Sequence, residues 1–128
     1  MLDIKQTETA KGSYSNRAKN YFFIKKDIDY IKIYFNDILY LKAAGNSTEI
    51  YTKSGQYIIT TNLAGLLKKL DNKDFVKANR SNVVNIEAIE KFNSDTVYIP
   101  SQNTLVEIKL TDTYRQNLME KLKIIRTK

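Results

Sequence analysis

The 128-residue chain contains no cysteine and no histidine, and these two absences exclude whole classes of chemistry. Without cysteine there are no disulfides, thiolate metal sites or thiol nucleophiles, a composition that suits a reducing cytoplasm. Without histidine the chain lacks the commonest general base and the commonest metal ligand, which rules out Ser-His and Cys-His catalysis. We therefore expect a protein that is not an enzyme, with no catalytic residue, no metal and no cofactor.

Glycine and long apolar runs are also scarce. The four glycines are scattered along the chain, whereas a phosphate-binding loop needs several close together, so nothing supports nucleotide hydrolysis. No apolar run approaches the roughly 18 residues of a membrane span, and the N-terminus lacks the apolar centre of a secretory signal. These features predict a cytoplasmic protein that does not bind a membrane.

Positive charge is what the chain has in excess. Its 21 Lys and Arg outnumber 14 Asp and Glu, which gives a net charge of +7 and a pI of about 9.5. The resulting field attracts a polyanion, and nucleic acid is the first candidate. The hypothesis that the partner is an RNA or an anionic membrane rests on charge alone. Most of the aromatic residues that could stack on RNA bases lie inside predicted strands.

The length predicts a single domain, which we expect to span residues 21–128 after a polar, flexible tail or linker at residues 1–20. Short apolar runs broken by Asp, Asn, Ser or Gly predict strands up to Leu110. Leucines at helical spacing after Asn62 predict a short internal helix at 63–70, and Thr111 precedes a C-terminal helix with an apolar stripe that extends to Ile125. The predicted fold is therefore mainly β, a compact antiparallel domain of several sheets. The predicted strands are 21–25, 30–34, 38–42, 48–53, 56–61, 89–92, 96–99 and 105–110. The strand at 38–42 is apolar at nearly every residue, so we expect it to be covered on both faces.

Three polar tips carry side chains suited to DNA: 46–48, 79–82 and 109–115. Arg and Asn have forked geometries that match guanine and adenine edges, while Lys, Arg and hydroxyl groups bind phosphates. Asn and Ser also form ordinary surface turns, which is the structural alternative for each tip. Phe75, Val83 and Val84 beside the middle tip are predicted to be core. The candidate DNA-binding residues are Asn46, Ser47, Thr48, Lys77, Asn79, Arg80, Ser81, Asn82, Lys109, Thr113 and Arg115, with Lys42 and Lys53 as further sources of phosphate attraction.

The order and spacing of several segments resemble the LytTR family, the DNA-binding output domains of bacterial response regulators. The match begins with Asp37-Ile38-Leu39-Tyr40-Leu41 and Ala44-Gly45-Asn46, and continues with the Gly55 hairpin and the Leu63 to Leu70 helix. It ends with Phe75-x-Lys77-x-Asn79-Arg80-Ser81-x-x-Val84-Asn85 and Tyr114.

The resemblance covers residues 21–118 and implies an antiparallel β fold without a recognition helix. It also implies that loops at 46–48, 79–82 and 111–115 enter two successive major grooves and bend the DNA. This chain departs from the family at Asn79, where relatives usually have His, at Lys77, where they usually have Arg, and at Asp112 and Thr113, where basic residues are common.

The sequence thus predicts sequence-specific double-stranded DNA binding by a bacterial transcriptional regulator of a two-component system, with Arg80 as the first candidate contact. The expected partner is promoter DNA, and direct repeats are one arrangement of the binding site. Further expected interactions are with an upstream receiver domain or, on the DNA, with a second copy of the chain. The alternative is a non-enzymatic β module that binds another protein through its tips or an exposed strand edge.

Overall fold

The computed structural model of the chain describes residues 20–128, which form three antiparallel sheets and two α-helices. This confirms the predicted mainly β fold class, whereas the predicted tail lies outside the described residues apart from Asn20. No helix in residues 20–128 has the length and apolarity needed to cross a bilayer. The elements are β1 (Tyr21–Lys26), β2 (Asp29–Tyr34), β3 (Ile38–Ala44), β4 (Ser47–Thr52), β5 (Gly55–Ile59), α1 (Leu63–Leu70), β6 (Phe75–Lys77), β7 (Asn82–Asn85), β8 (Lys91–Phe92), β9 (Thr96–Ser101), β10 (Thr104–Lys109) and α2 (Asp112–Glu120).

A central five-stranded sheet, in the order β5-β4-β3-β7-β6, separates two hydrophobic cores. The first core joins this sheet to the β1–β2 hairpin and α1, through residues such as Ile33, Ile50 and Leu66. The second joins it to the β10-β9-β8 sheet and α2, through residues such as Ile99 and Leu118. Because the chain has apolar residues for both faces, the central sheet is buried on its two sides near β3 and β7.

A β-bulge at Leu39 lets β3 serve both cores. The register with β4 passes from Ile38 opposite Thr52 to Tyr40 opposite Tyr51, so Leu39 is an extra residue in β3. Successive side chains of a regular strand alternate between faces, and residues three apart would point in opposite directions. The bulge instead places Ile38 and Leu41 together in the first core and Leu39 in the second. This agrees with the sequence-based expectation that the strand is covered on both faces.

Helix α1 matches its sequence prediction, including both ends. The Asn62 side-chain oxygen accepts a 2.8 Å hydrogen bond from the Gly65 N–H, which satisfies one of the free amides of the first turn. Leu63, Leu66 and Leu70 are buried in the first core. The helix ends at Leu70, and the C-cap residue Asp71 has a left-handed φ of 47°.

The region after Asn85 departs from the sequence prediction at both ends of α2 and at β8. Helix α2 ends at Glu120, so Ile125 is 83% exposed and does not extend the apolar stripe, while Leu118 is buried. Thr111 occupies the N-cap position, but its side chain makes no capping hydrogen bond. The predicted strand 89–92 shortens to β8 because the Asn85 side chain accepts from the Glu87 N–H and begins a 3-10 turn at Ile86–Ala88.

Candidate nucleic-acid interface

The first predicted tip is a tight turn between β3 and β4. Ala44 pairs with Ser47, and Gly45 has a φ of +62°, a left-handed value that costs glycine little. Asn46 is exposed and Ser47 is half-buried. Thr48, in contrast, is fully buried, and its hydroxyl donates a 2.8 Å hydrogen bond to the Thr61 carbonyl. The sequence predicted Thr48 as a DNA contact; in the fold it anchors the hairpin to the segment before α1, and Asn46 and Ser47 form the accessible part of this tip.

The second tip is organised by the side-chain amide of Asn79. Its oxygen accepts hydrogen bonds from the N–H groups of Ser81 (2.9 Å) and Asn82 (3.0 Å), which closes a local turn. Its nitrogen donates a 2.7 Å bond to the Lys109 carbonyl at the end of β10. Asn79 therefore holds the tip in shape, and Arg80 and Ser81 are the residues that the turn exposes to solvent.

Backbone hydrogen bonds bring the three tips to one end of the molecule. The Ala43 N–H donates to the Ser81 carbonyl at 2.8 Å, which joins the second tip to the strand that carries the first. The Thr111 N–H donates to the Ala78 carbonyl at 3.0 Å, which joins the second tip to the third. Sequence reasoning missed Ala43 and Ala78 because their contribution comes from the backbone and has no side-chain signature. We call this region, formed by residues 42–47, 77–82 and 109–115, the contact end.

The third tip contains an internal ion pair. The Arg115 guanidinium pairs with the Asp112 carboxylate, and its Nε donates a 2.6 Å hydrogen bond to the Ser94 carbonyl in the turn between β8 and β9. The two opposite charges offset each other, so Asp112 repels a phosphate less than an isolated carboxylate would. Arg115 is thus held against the protein, while Lys109 and Thr113 are exposed.

Most of the predicted cations lie at the contact end. Lys42 is exposed and stands opposite Asn82 in the β3–β7 register, and Arg80 and Lys109 are exposed nearby. Lys77 is half-buried and stands opposite Val83, directly before the second tip. Lys53 follows the other end of β4, where its N–H donates to the Asp37 carbonyl, so it does not join this group.

Two stacked tyrosines and a glutamate lie on the sheet surface next to Lys42. The rings of Tyr40 and Tyr51 stack with centroids 4.4 Å apart, and the Tyr51 hydroxyl donates a 2.6 Å bond to Glu49, which stands opposite Lys42. This hydrogen bond, followed by burial, raises the pKa of Tyr51 to about 12. Burial, followed by the Glu49 charge, raises the pKa of Tyr40. Both phenols are therefore neutral near pH 7 and contribute packing rather than charge.

Comparison with known proteins finds one matching family model and a similar solved structure. A family model described as the LytTr DNA-binding domain matches residues 29–123, a range that contains the whole contact end. A solved structure, the LytTr DNA-binding domain of a DNA response regulator from Bacillus cereus, superposes with a TM-score of 0.63 at 20% sequence identity. The superposition covers 80% of this chain and 95% of that one, which places both in the same fold.

Proposed function

Because the chain belongs to the LytTR family of DNA-binding domains, we propose that its contact end binds double-stranded DNA in a sequence-specific manner, as the output domain of a bacterial transcriptional response regulator. The observation that carries this proposal is the hydrogen-bonded convergence of three polar tips on one end of the fold. Preformed tips lose little conformational freedom on binding, which favours recognition of one DNA geometry. The exposed side chains there carry hydrogen-bond donors and acceptors that make few hydrogen bonds within the protein.

The tips divide into residues that read bases and residues that hold the backbone. Arg80 has an exposed, forked guanidinium that suits guanine, and Asn46 has an exposed amide that suits adenine. Ser81 and Asn82 lie beside Arg80 and are suited to either role. Lys42, Lys77 and Lys109 supply phosphate attraction that weakens as salt rises, with Thr113 adding a hydroxyl.

The proposed docking uses turns rather than a helix in the groove. Tips on both sides of the second turn allow contacts in two successive major grooves, and bending the DNA would bring the outer tips closer to it. The proposed target is a promoter, with direct repeats bound by separate copies. An upstream receiver domain or self-association on DNA would control occupancy.

The test is to select bound sequences from a random duplex pool and then compare wild type, Arg80→Ala and Lys73→Ala on the enriched site and on scrambled DNA across a salt series. Lys73 is an exposed cation before β6, at the opposite end of the β6–β7 pair from Arg80, so its variant controls for the lost charge. We expect Arg80→Ala to lose about 1 to 3 kcal/mol of specific binding and to relax the preference at one base pair. If no motif is enriched, or if both variants behave alike, the proposal is wrong.

A further inference from the structure

The β1–β2 hairpin has one buried and one exposed face, and both are rich in large side chains. The strands pair along their full length, from Tyr21 opposite Tyr34 to Lys26 opposite Asp29. Ile24 and Ile33 point into the first core, with Phe22 and Ile31 packed against it. The alternate residues point away from that core. This outward set, which we call the aromatic-lysine face, consists of Tyr21, Phe23, Lys25, Tyr30, Lys32 and Tyr34.

The aromatic-lysine face exposes an unusual amount of ring surface. Tyr30 is 67% exposed, Phe23 is 53% exposed and Tyr34 is 43% exposed. Solvent-exposed strands normally carry polar residues on the outer face, and contiguous apolar surface usually marks an interaction site. Tyrosine and phenylalanine are also among the residues enriched at protein interfaces. The face is therefore a candidate binding surface separate from the contact end.

The lysines of this face lie among rings. The Lys32 ammonium is 4.6 Å from the centroid of the Tyr21 ring and 5.6 Å from those of Phe23 and Tyr34. The Lys25 ammonium is 5.0 Å from the Tyr30 centroid. Within residues 20–128 neither lysine forms an ion pair with a carboxylate, and both ammonium groups contact ring faces.

The geometry favours one kind of anionic partner. Tyr21 meets Phe23 and Tyr34 edge-on, at interplanar angles of 87° and 71°, and ammonium groups lie over the ring faces. Such rings are a poor platform for stacked bases, which need open ring faces. A second copy of the same face would bring lysines against lysines. A carboxylate of a partner, in contrast, can pair with a lysine ammonium and accept hydrogen bonds from tyrosine hydroxyls. Apolar side chains next to that carboxylate can pack on the ring edges.

We propose that the aromatic-lysine face docks an acidic segment of another protein in which apolar side chains alternate with carboxylates. The face also lies where it can act while the contact end is occupied. A small cleft lined by Lys32, Tyr34, Asp37, Thr52 and Ser54 places the aromatic-lysine face next to the β4–β5 turn, at the end of β4 remote from Ser47.

The experiment uses three fluorescent peptides as probes: one alternating Glu with Leu and Phe, one with Gln replacing every Glu, and one with Ser replacing the apolar residues. Their affinities are measured for wild type and for Lys32→Glu, Phe23→Ser and Lys73→Glu. Lys32, Phe23 and Lys73 are exposed, so these variants should fold. Lys73→Glu matches Lys32→Glu in total charge.

We expect wild type to prefer the first peptide over both controls. Reversing Lys32 should weaken its binding on the order of tenfold, because it replaces attraction with repulsion. Phe23→Ser should weaken binding as well, and Lys73→Glu should have little effect. Equal binding of the three peptides, or equal losses in Lys32→Glu and Lys73→Glu, overturns the proposal.

Two further measurements test whether nucleic acid or a second copy of the chain binds the aromatic-lysine face instead. If Lys32→Glu reduces affinity for duplex or single-stranded DNA much more than Lys73→Glu does, the face binds nucleic acid and the proposal is wrong. If wild type sediments as a dimer and Phe23→Ser as a monomer, the face is a self-association surface and the proposal is equally wrong. Equal DNA affinities of the two lysine variants and a monomeric wild type support the assignment.

Discussion

Replacing Asn79 by alanine tests the conclusion that this side chain shapes the second tip. The variant loses three hydrogen bonds: two to the N–H groups of Ser81 and Asn82, and one to the Lys109 carbonyl. Each such bond contributes about 0.5 to 1.5 kcal/mol net. Because Asn79 is half-buried, water can satisfy some of the released groups, and we expect a total loss of about 1 to 3 kcal/mol in the free energy of unfolding.

The neighbouring variant Arg80→Ala is the matched control, since Arg80 is exposed on the same turn. Its free energy of unfolding should stay within about 0.5 kcal/mol of wild type. Urea unfolding measures both free energies of unfolding, and a DNA-binding assay then distinguishes the two variants. Asn79→Ala should weaken binding to every DNA sequence by a similar factor, whereas Arg80→Ala should reduce discrimination between sequences. An unchanged urea midpoint for Asn79→Ala, or equal destabilisation by both variants, would refute the reasoning.

Two other predictions concern groups away from the second tip. Leu118→Ala should destabilise the protein by about 2 to 5 kcal/mol, because it opens a cavity in the second core, while the adjacent and exposed Met119→Ala should change little in the same urea assay. Equal effects of the two would contradict the assigned packing of α2. The pKa of Tyr51 is raised from 10.0 to about 12 in the folded protein. The hydrogen bond to Glu49 therefore contributes its full stabilisation of the folded state below pH 10, and this stabilisation is lost as the pH rises to about 12. Tyrosinate absorbance should show this late titration in wild type, a lower pKa in Glu49→Ala, which removes the acceptor, and its absence in Tyr51→Phe; a wild-type profile in Glu49→Ala would rule out the hydrogen bond as the cause.

Much of the fold was predictable because local signals agreed with tertiary packing. The Leu63, Leu66 and Leu70 spacing, together with the Asn62 cap, predicted α1 with its observed ends. The apolar run that begins at Ile38 predicted a strand covered on both faces. The bulge at Leu39 was not predictable, because it is a change of register relative to β4. Likewise, the strand expected at 89–92 competes with a 3-10 turn that depends on the folded position of Asn85.

The turns of the contact end were predictable from the sequence, but the structural roles of their residues were not. The turns could be recognised from Gly, Asn and Ser, but the burial of Thr48 depends on which face the hairpin register gives it. The role of Asn79 depends on Lys109, which lies 30 residues later in the chain and meets it only after folding. Arg115 looked like a free cation because its partner at Ser94 belongs to a different turn.

The position of the central sheet between the two cores has a further consequence for motion. Leu41 and Val83 belong to the first core and Val84 to the second, and all three lie on strands that lead into the tips. Neither core can separate from the sheet without exposing these strands, so the amide hydrogens of β3 and β7 should exchange with solvent only through opening of the whole domain. The strand ends that carry the tips should then stay fixed relative to one another unless the whole domain opens.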